Sequence, residues 1–285
     1  MSHSLPIPPP KRTPESRGLL AAPLAEYTLP SFSGVLMSAL EKVRNPDANA
    51  AEVAAVLESD PGTSVKLLGI ANSACYGLTA PVNSAAHAIA LLGRGQVEAL
   101  LLSVAVGGAL PKPTIPELDG HRFWCGAARR ATIARSLAQR IDPRRGSESF
   151  TAALLQDMAV PLLAEVKGAE YGAVLEAWRQ ERQDLAALER QRFGWDHAMV
   201  GAWMCQEWRF SSQVMRAIGA HHGVWDETDL PSVTAVGTLT DAERDYGAES
   251  VIEVAVERFG MSLPDAETLV AASETDAADL ARLFI

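Results

Sequence analysis

The chain has 285 residues, 48% of them hydrophobic and 6% aromatic, with a formal net charge of −10. That length supports one large domain or two smaller ones with a real core, and abundant alanine with few aromatics favours helices over a β-sandwich. The acidic balance excludes a global field suited to nucleic acid or an anionic membrane, and Cys75, Cys125 and Cys205 form neither a disulfide ladder nor a zinc pattern, which reads as a reducing cytoplasm.

Residues 1–24 read as a disordered leader: they are proline-rich, carry Lys11, Arg12 and Arg17, and hold no apolar h-region. Leu29-Pro30-Ser31-Phe32 opens the folded part, followed by an amphipathic helix carrying Val35, Leu36, Ala39, Leu40 and Val43. Asn45-Pro46 stops it, and Asn49 with Glu52 predicts a capping box for the next helix, 50–58. Asp60-Pro61 is an N-cap and first helical residue, with Val65, Leu68 and Ala71 on one face; Ser84 caps a further helix that Gly93 closes. Val97, Leu100, Leu101 and Val104 mark a buried helix face that Gly107-Gly108 ends, and Pro111, Pro113 and Pro116 punctuate the connection to a second lobe. Ala99–Leu110 is the longest uncharged apolar stretch, too short for the roughly 20 residues that span a bilayer.

The second half reads as a run of helices with no repeat and no strand. An alanine-rich helix covers 123–140, others cover 149–159, 168–182 and 184–193, Gly194 breaks the run, and Asp196 caps a helix starting at His197. Ser211 or Ser212 caps one reaching His222, a helix starts at Pro231, and Ser250 with Glu253 forms a capping box ahead of an apolar stripe of Val251, Val254, Ala255 and Phe259. Leu263, Leu269, Val270 and Leu280 can pack on that stripe, either capping the second lobe or docking a partner.

The string Asp60-Pro61, Leu67-Leu68, Ala71-Asn72-Ser73-Ala74, Tyr76-Gly77 and Ala88-Ile89-Ala90-Leu91-Leu92-Gly93 resembles the HDOD domain, a helical signalling module of bacteria. The resemblance implies an all-α, two-lobed fold: an N-terminal lobe over 25–110, a lobe like the HD phosphohydrolases over 117–247, and a helical extension over 248–285. In the enzymes a histidine, a His-Asp pair and a distant aspartate bind a divalent metal that activates water. The corresponding positions here are Gly126, Gln156, Asp157 and Asp241. Glycine cannot ligate and glutamine is a poor replacement for imidazole, so two carboxylates remain and no metal and no cofactor is expected. His197 and the pair His221-His222 match positions where relatives carry histidines, and form a possible residual pocket. Their plain readings are a neutral, hydrogen-bonded imidazole for His197 and helix C-terminal capping or exposure for His221 and His222; Asp157 and Asp241 read as structural. Cys75 and Cys125 read as small core residues, and Trp195, Trp203, Trp208 and Trp225 as core or as a groove. No nucleophile elbow, phosphate-cradling loop or basic helix is present in the sequence.

The implied function is a non-enzymatic, cytoplasmic regulatory module acting through signalling proteins in trans, cyclic-dinucleotide pathway components among them, with neither nucleic acid nor membrane as partner. The rivals are a metal-dependent phosphohydrolase or phosphodiesterase with a rearranged ligand set, and a sensor that binds a nucleotide or small ligand without turning it over.

Overall fold

The structure is a computed structural model that describes residues 29–73, 76, 78, 80–181, 184–222, 230–237 and 246–285. Every element among them is helical, and no strand is present among the described residues. Asp241, Cys75, Gly77 and Trp225 lie outside the described residues.

The local chemistry places the first helices where the sequence puts them. Ser33 caps α1 (Gly34–Arg44) and Asn49 caps α2 (Ala50–Glu58), its side chain accepting from Glu52 N–H while its amide donates to the Glu52 carboxylate. Asp60 accepts from the N–H groups of Gly62 and Thr63 at the head of α3 (Pro61–Ala71), and Ser84 caps α4 (Ala85–Leu92). The buried face of α3 is Leu67, Ile70 and Ala71, whereas Val65 is 66% exposed; the phase read from Val65 is corrected because α3 packs on α5 through the neighbouring stripe. α5 (Arg94–Ala109) buries Val97, Leu100, Leu101 and Val104 as expected, but runs through Gly107-Gly108 instead of ending there.

α6 (Gly120–Ile141) is the axis of the second lobe, packing on α7 (Gly146–Leu155), α13 (Pro231–Ala235) and α15 (Leu263–Ala281). α7 and α8 (Ala159–Lys167) flank a turn at 156–158. Their stretch is apolar and long enough by composition to cross a membrane, yet 83% of its most apolar window is buried inside the fold, as a central core element would be. α9 (Ala169–Glu181), α10 (Leu185–Phe193), α11 (His197–Glu207) and α12 (Ser212–Gly219) wrap around it. α12 stops at Gly219, so His221 and His222 sit in the turn beyond it and not on the helix. α14 starts at Tyr246 and continues through Phe259, so the Ser250–Glu253 capping box does not form; Gly260 ends the helix with φ 66°.

The two halves share one core. α5 packs on α7, Phe32 meets Trp208 with centroids 4.9 Å apart, and Trp208 Nε1 donates to Pro30 O at 3.3 Å. Arg135 lies over the Tyr76 ring at 4.0 Å, and Tyr76 meets Phe150 edge-on at 5.6 Å. Trp195 and Cys205 are core residues, Cys125 is half-buried, and Trp203 and Trp208 are half-buried against the core.

Candidate metal centre

Three chain segments meet at one point. The α7–α8 turn supplies Asp157, the start of α11 supplies His197, and the turn after α12 supplies His221 and His222. One candidate ligand atom from each lies within 4.8 Å of all the others. Spacing could name these residues but could not assemble them, since 64 positions of sequence separate Asp157 from His221 (221 − 157 = 64).

His197 is fixed first. Gly194 turns the chain in the left-handed region (φ 81°), where its lack of a Cβ is required, and Asp196 caps α11 through Met199 N–H. Glu189, fully buried on α10, accepts from His197 N–H at 2.7 Å and holds His197 Nδ1 at 2.6 Å; its other oxygen accepts from Tyr171 Oη. His221 Nδ1 is 2.6 Å from Ile218 O, and His222 Nδ1 is 3.2 Å from Asp184 Oδ1. Each of these oxygens is an acceptor, so each Nδ1 carries the proton, and each Nε2 is left with a lone pair unless the ring is charged.

Those Nε2 atoms converge. His197 Nε2 is 2.9 Å from His222 Nε2 and 3.3 Å from His221 Nε2, while Asp157 Oδ1 is 3.4 Å from His197 Nε2 and 3.3 Å from His221 Nε2. Donors packed this way repel one another unless a proton or a cation lies among them. Ligand bonds of about 2.0–2.1 Å in a tetrahedron give edges of about 3.3–3.4 Å, which is the spacing of three of these four contacts. Three imidazoles and a carboxylate suit zinc or a related first-row ion, and the Glu189, Asp184 and Ile218 oxygens are the outer contacts that orient such ligands.

Without an ion, charge balances internally. Burial alone would lower His197, but the Glu189 and Asp157 carboxylates outweigh it and hold the imidazole well above its usual range. This corrects the neutral reading of His197: the dipole at a helix start is worth about 0.3–1 kcal/mol, and carboxylates in hydrogen-bond contact exceed it. Burial would raise Asp157, yet the Arg130 guanidinium and the two histidines hold it well below the carboxylate range. His221 goes the other way, pushed down to about 4 by burial and by His222. It is fully buried and donates to the end of α12, so it is neither exposed nor a charged cap.

Of the positions implied for HD enzymes, Asp157 lies in the cluster and Asp241 lies outside the described residues. Gly126 contributes no side chain, and one turn along α6 the Arg130 Nη2 reaches Asp157 Oδ2 at 2.9 Å. Gln156 is fully buried and its amide finds no hydrogen-bond partner among the described residues. Arg130, Glu189, Tyr171 and Asp184 went unnoticed in the sequence. The signal was there for two of them, because Arg130 and Glu189 interrupt the apolar faces Ala127-Ala131-Ala134 and Leu185-Leu188, and a charge on a buried face needs a partner.

A cleft open to solvent, with a cavity volume of about 60 Å³, meets the cluster. Arg130, Asp157 and His197 lie at its deep end, Phe123, Trp178, Leu175 and Leu185 along its sides, and the exposed Asp119, Arg122 and Arg179 at its mouth.

An all-helical body of two packed lobes is the fold of the helical HD and HDOD proteins. The sequence matches the HDOD domain over residues 29–224, and the chain belongs to that family. A crystal structure from Shewanella amazonensis, provisionally named a phosphohydrolase, superimposes with a TM-score of 0.73 at 21% identity, covering 94% of this chain and 98% of that one. One from Marinobacter aquaeolei, provisionally named a signal transduction protein, gives 0.69 at 19% identity over 94% and 65%. An HDOD domain protein of unknown function from Geobacter sulfurreducens gives 0.67 at 18% over 94% and 95%. An uncharacterized Treponema pallidum protein is 23% identical over 208 residues; the match spans 72% of this chain and 40% of that relative's length.

Proposed function

We propose that this chain is a regulatory HDOD module that acts on signalling proteins in trans without hydrolysing a substrate, its second lobe pinned by a cation at Asp157, His197, His221 and His222. One observation carries the reading: one ligand atom from each of these four side chains lies within 4.8 Å of the others, and three of the contacts among them have the 3.3–3.4 Å spacing that a four-ligand site requires. A hydrolytic metal centre keeps a position open for the water it activates, whereas a closed four-ligand site stabilises structure. The bound ion supplies charge to replace the His197 proton. Arg130 neutralises the outer oxygen of Asp157, Glu189 and Ile218 O orient two of the imidazoles, and Gly126 leaves the first enzyme position without a ligand.

Hydrolysis with a rearranged ligand set is the second reading, favoured by the cleft that reaches Asp157 and His197. Metal analysis of the purified protein together with turnover of bis(p-nitrophenyl) phosphate and a cyclic dinucleotide separates the two. Near-stoichiometric retained metal with no turnover is the expected result. Metal-dependent turnover lost in Asp157→Asn and His221→Ala would overturn the regulatory reading, and protein that takes up no zinc, manganese or iron would overturn the cation centre.

A further inference from the structure

The cleft that meets the cluster has walls fixed from outside. Glu117, on the connection between the lobes, lies over α9, where a Cβ on Gly172 would come within 2.8 Å of its carboxylate. Arg179 Nη2 of α9 donates to Glu117 O at 2.5 Å. On α6, Phe123 meets Trp124 edge-on with centroids 5.2 Å apart, and Trp124 stacks on Phe284 at 4.7 Å. A pocket held in shape this way avoids part of the ordering cost of binding.

Its lining changes with depth. Val160, Leu175, Leu185, Phe123 and Trp178 make the passage apolar. At the base both oxygens of Asp157 are engaged: Oδ2 meets Arg130 Nη2 at 2.9 Å, and Oδ1 lies 3.4 Å and 3.3 Å from His197 and His221 Nε2. The carboxylate is thus committed inside the cluster, and the base turns a cationic end toward the passage, Arg130 and the ion at the centre. A charge carried down an apolar passage needs a partner at its end, and only an anion finds one here.

Volume sets the rest. A water position takes about 10–15 Å³, so a cavity of about 60 Å³ holds about four to six non-hydrogen atoms. Benzene occupies an engineered cavity of about 150 Å³, more than twice as large, so neither an aryl ring nor a nucleobase fits.

We infer that this cleft is a binding pocket for a short-chain aliphatic carboxylate, an acid of about three or four carbons. Its chain lies in the passage among Leu175, Leu185 and Phe123, and its carboxylate lies at the Arg130 base. The inference rests on the reading of a non-hydrolytic cation centre, and it gives that centre a small-molecule input.

The test is isothermal titration calorimetry on the full chain, zinc-loaded and dialysed, with butyrate, butyramide, butylammonium and benzoate. Butyrate is expected to bind at least tenfold tighter than each of the other three. Leu175→Phe, which fills the passage, is expected to weaken butyrate binding at least tenfold with zinc content unchanged. If that variant loses its helical circular dichroism, Val160→Ile serves in its place, with butyrate weakened at least threefold and acetate unaffected. Butyramide or benzoate binding as tightly as butyrate would overturn the pocket, as would butyrate affinity that survives the substitution. A chain that retains zinc, turns over no phosphodiester and binds no butyrate sinks this inference and leaves the regulatory reading standing. One that takes up no zinc yet binds butyrate sinks the cation centre and leaves the pocket, so the two failures are distinguishable.

Discussion

Glu189→Gln isolates what a single buried carboxylate does for the centre. In the native structure its two oxygens serve three donors: His197 N–H, His197 Nδ1–H and Tyr171 Oη–H. Glutamine fills nearly the same volume and can turn its oxygen toward His197, keeping two of these contacts. The Tyr171 hydroxyl must then accept from an amide where it donated to a carboxylate. Hydrogen bonds to a charged group are worth about 1.5–3 kcal/mol and neutral ones about 0.5–1.5, so three contacts lose about 3 kcal/mol together. At about 2–4 °C per kcal/mol for a domain near this size, the expected fall in Tm of the metal-free protein is about 6–12 °C. Because the outer carboxylate also orients His197 Nε2, zinc affinity is expected to fall about 10–100-fold. Calorimetry and zinc titration measure both. A Tm within 1 °C of wild type, with zinc affinity unchanged, would refute the claim that Glu189 holds His197.

Chelation of the metal-loaded protein is expected to lower Tm, since a ligand at a hundredfold excess over its Kd stabilises the native state by about 2.7 kcal/mol; an unchanged melting curve would count against the centre. The pH profile of the metal-free chain is expected to peak near the ordinary histidine pKa of about 6.5. Below that pH the unfolded chain protonates His221 while the folded one, held to about 4, does not, so stability falls on acidification. Above it folded His197 keeps a proton that the unfolded chain releases, so stability falls as pH rises toward the folded pKa of His197. His221→Gln should flatten the acid limb, and an unaltered limb in urea titrations would contradict this. In the first lobe, Leu101→Ala at a fully buried site should cost about 2–5 kcal/mol. Val65→Ala on the exposed face of α3 should stay within about 0.5 kcal/mol, and equal losses at the two sites would reverse the face assigned to α3.

Much of the candidate site was legible as residues and not as a site. Asp157, His197, His221 and His222 stand out in the sequence, and Asp60, Ser84, Asn49 and Asp196 mark helix starts that the structure confirms. A cap is a contact between a side chain and an amide two or three residues away, so local order alone specifies it. The charge His197 carries in the metal-free chain was not legible because its deciding neighbours, Glu189 and Asp157, lie eight and forty positions away. The first-lobe error has the same origin: both Val65 and Leu67 satisfy helical periodicity, and only the position of α5 selects which stripe is buried.

By itself the sequence determined an all-helical chain with its caps and breaks, because those follow from nearest neighbours and from the period of apolar residues. It also shows that Gly126 and Gln156, the positions that the family resemblance sets against enzyme histidines, hold no imidazole. Only the tertiary structure decided that the Nε2 atoms of His197 and His221 meet Asp157 Oδ1 with His222 Nε2 beside them, that Arg130 closes the far side, and that Leu283 and Phe284 fill notches at Gly69 and Gly107. Each of those is a meeting of segments far apart in the chain, and helix packing, not local propensity, sets where they meet.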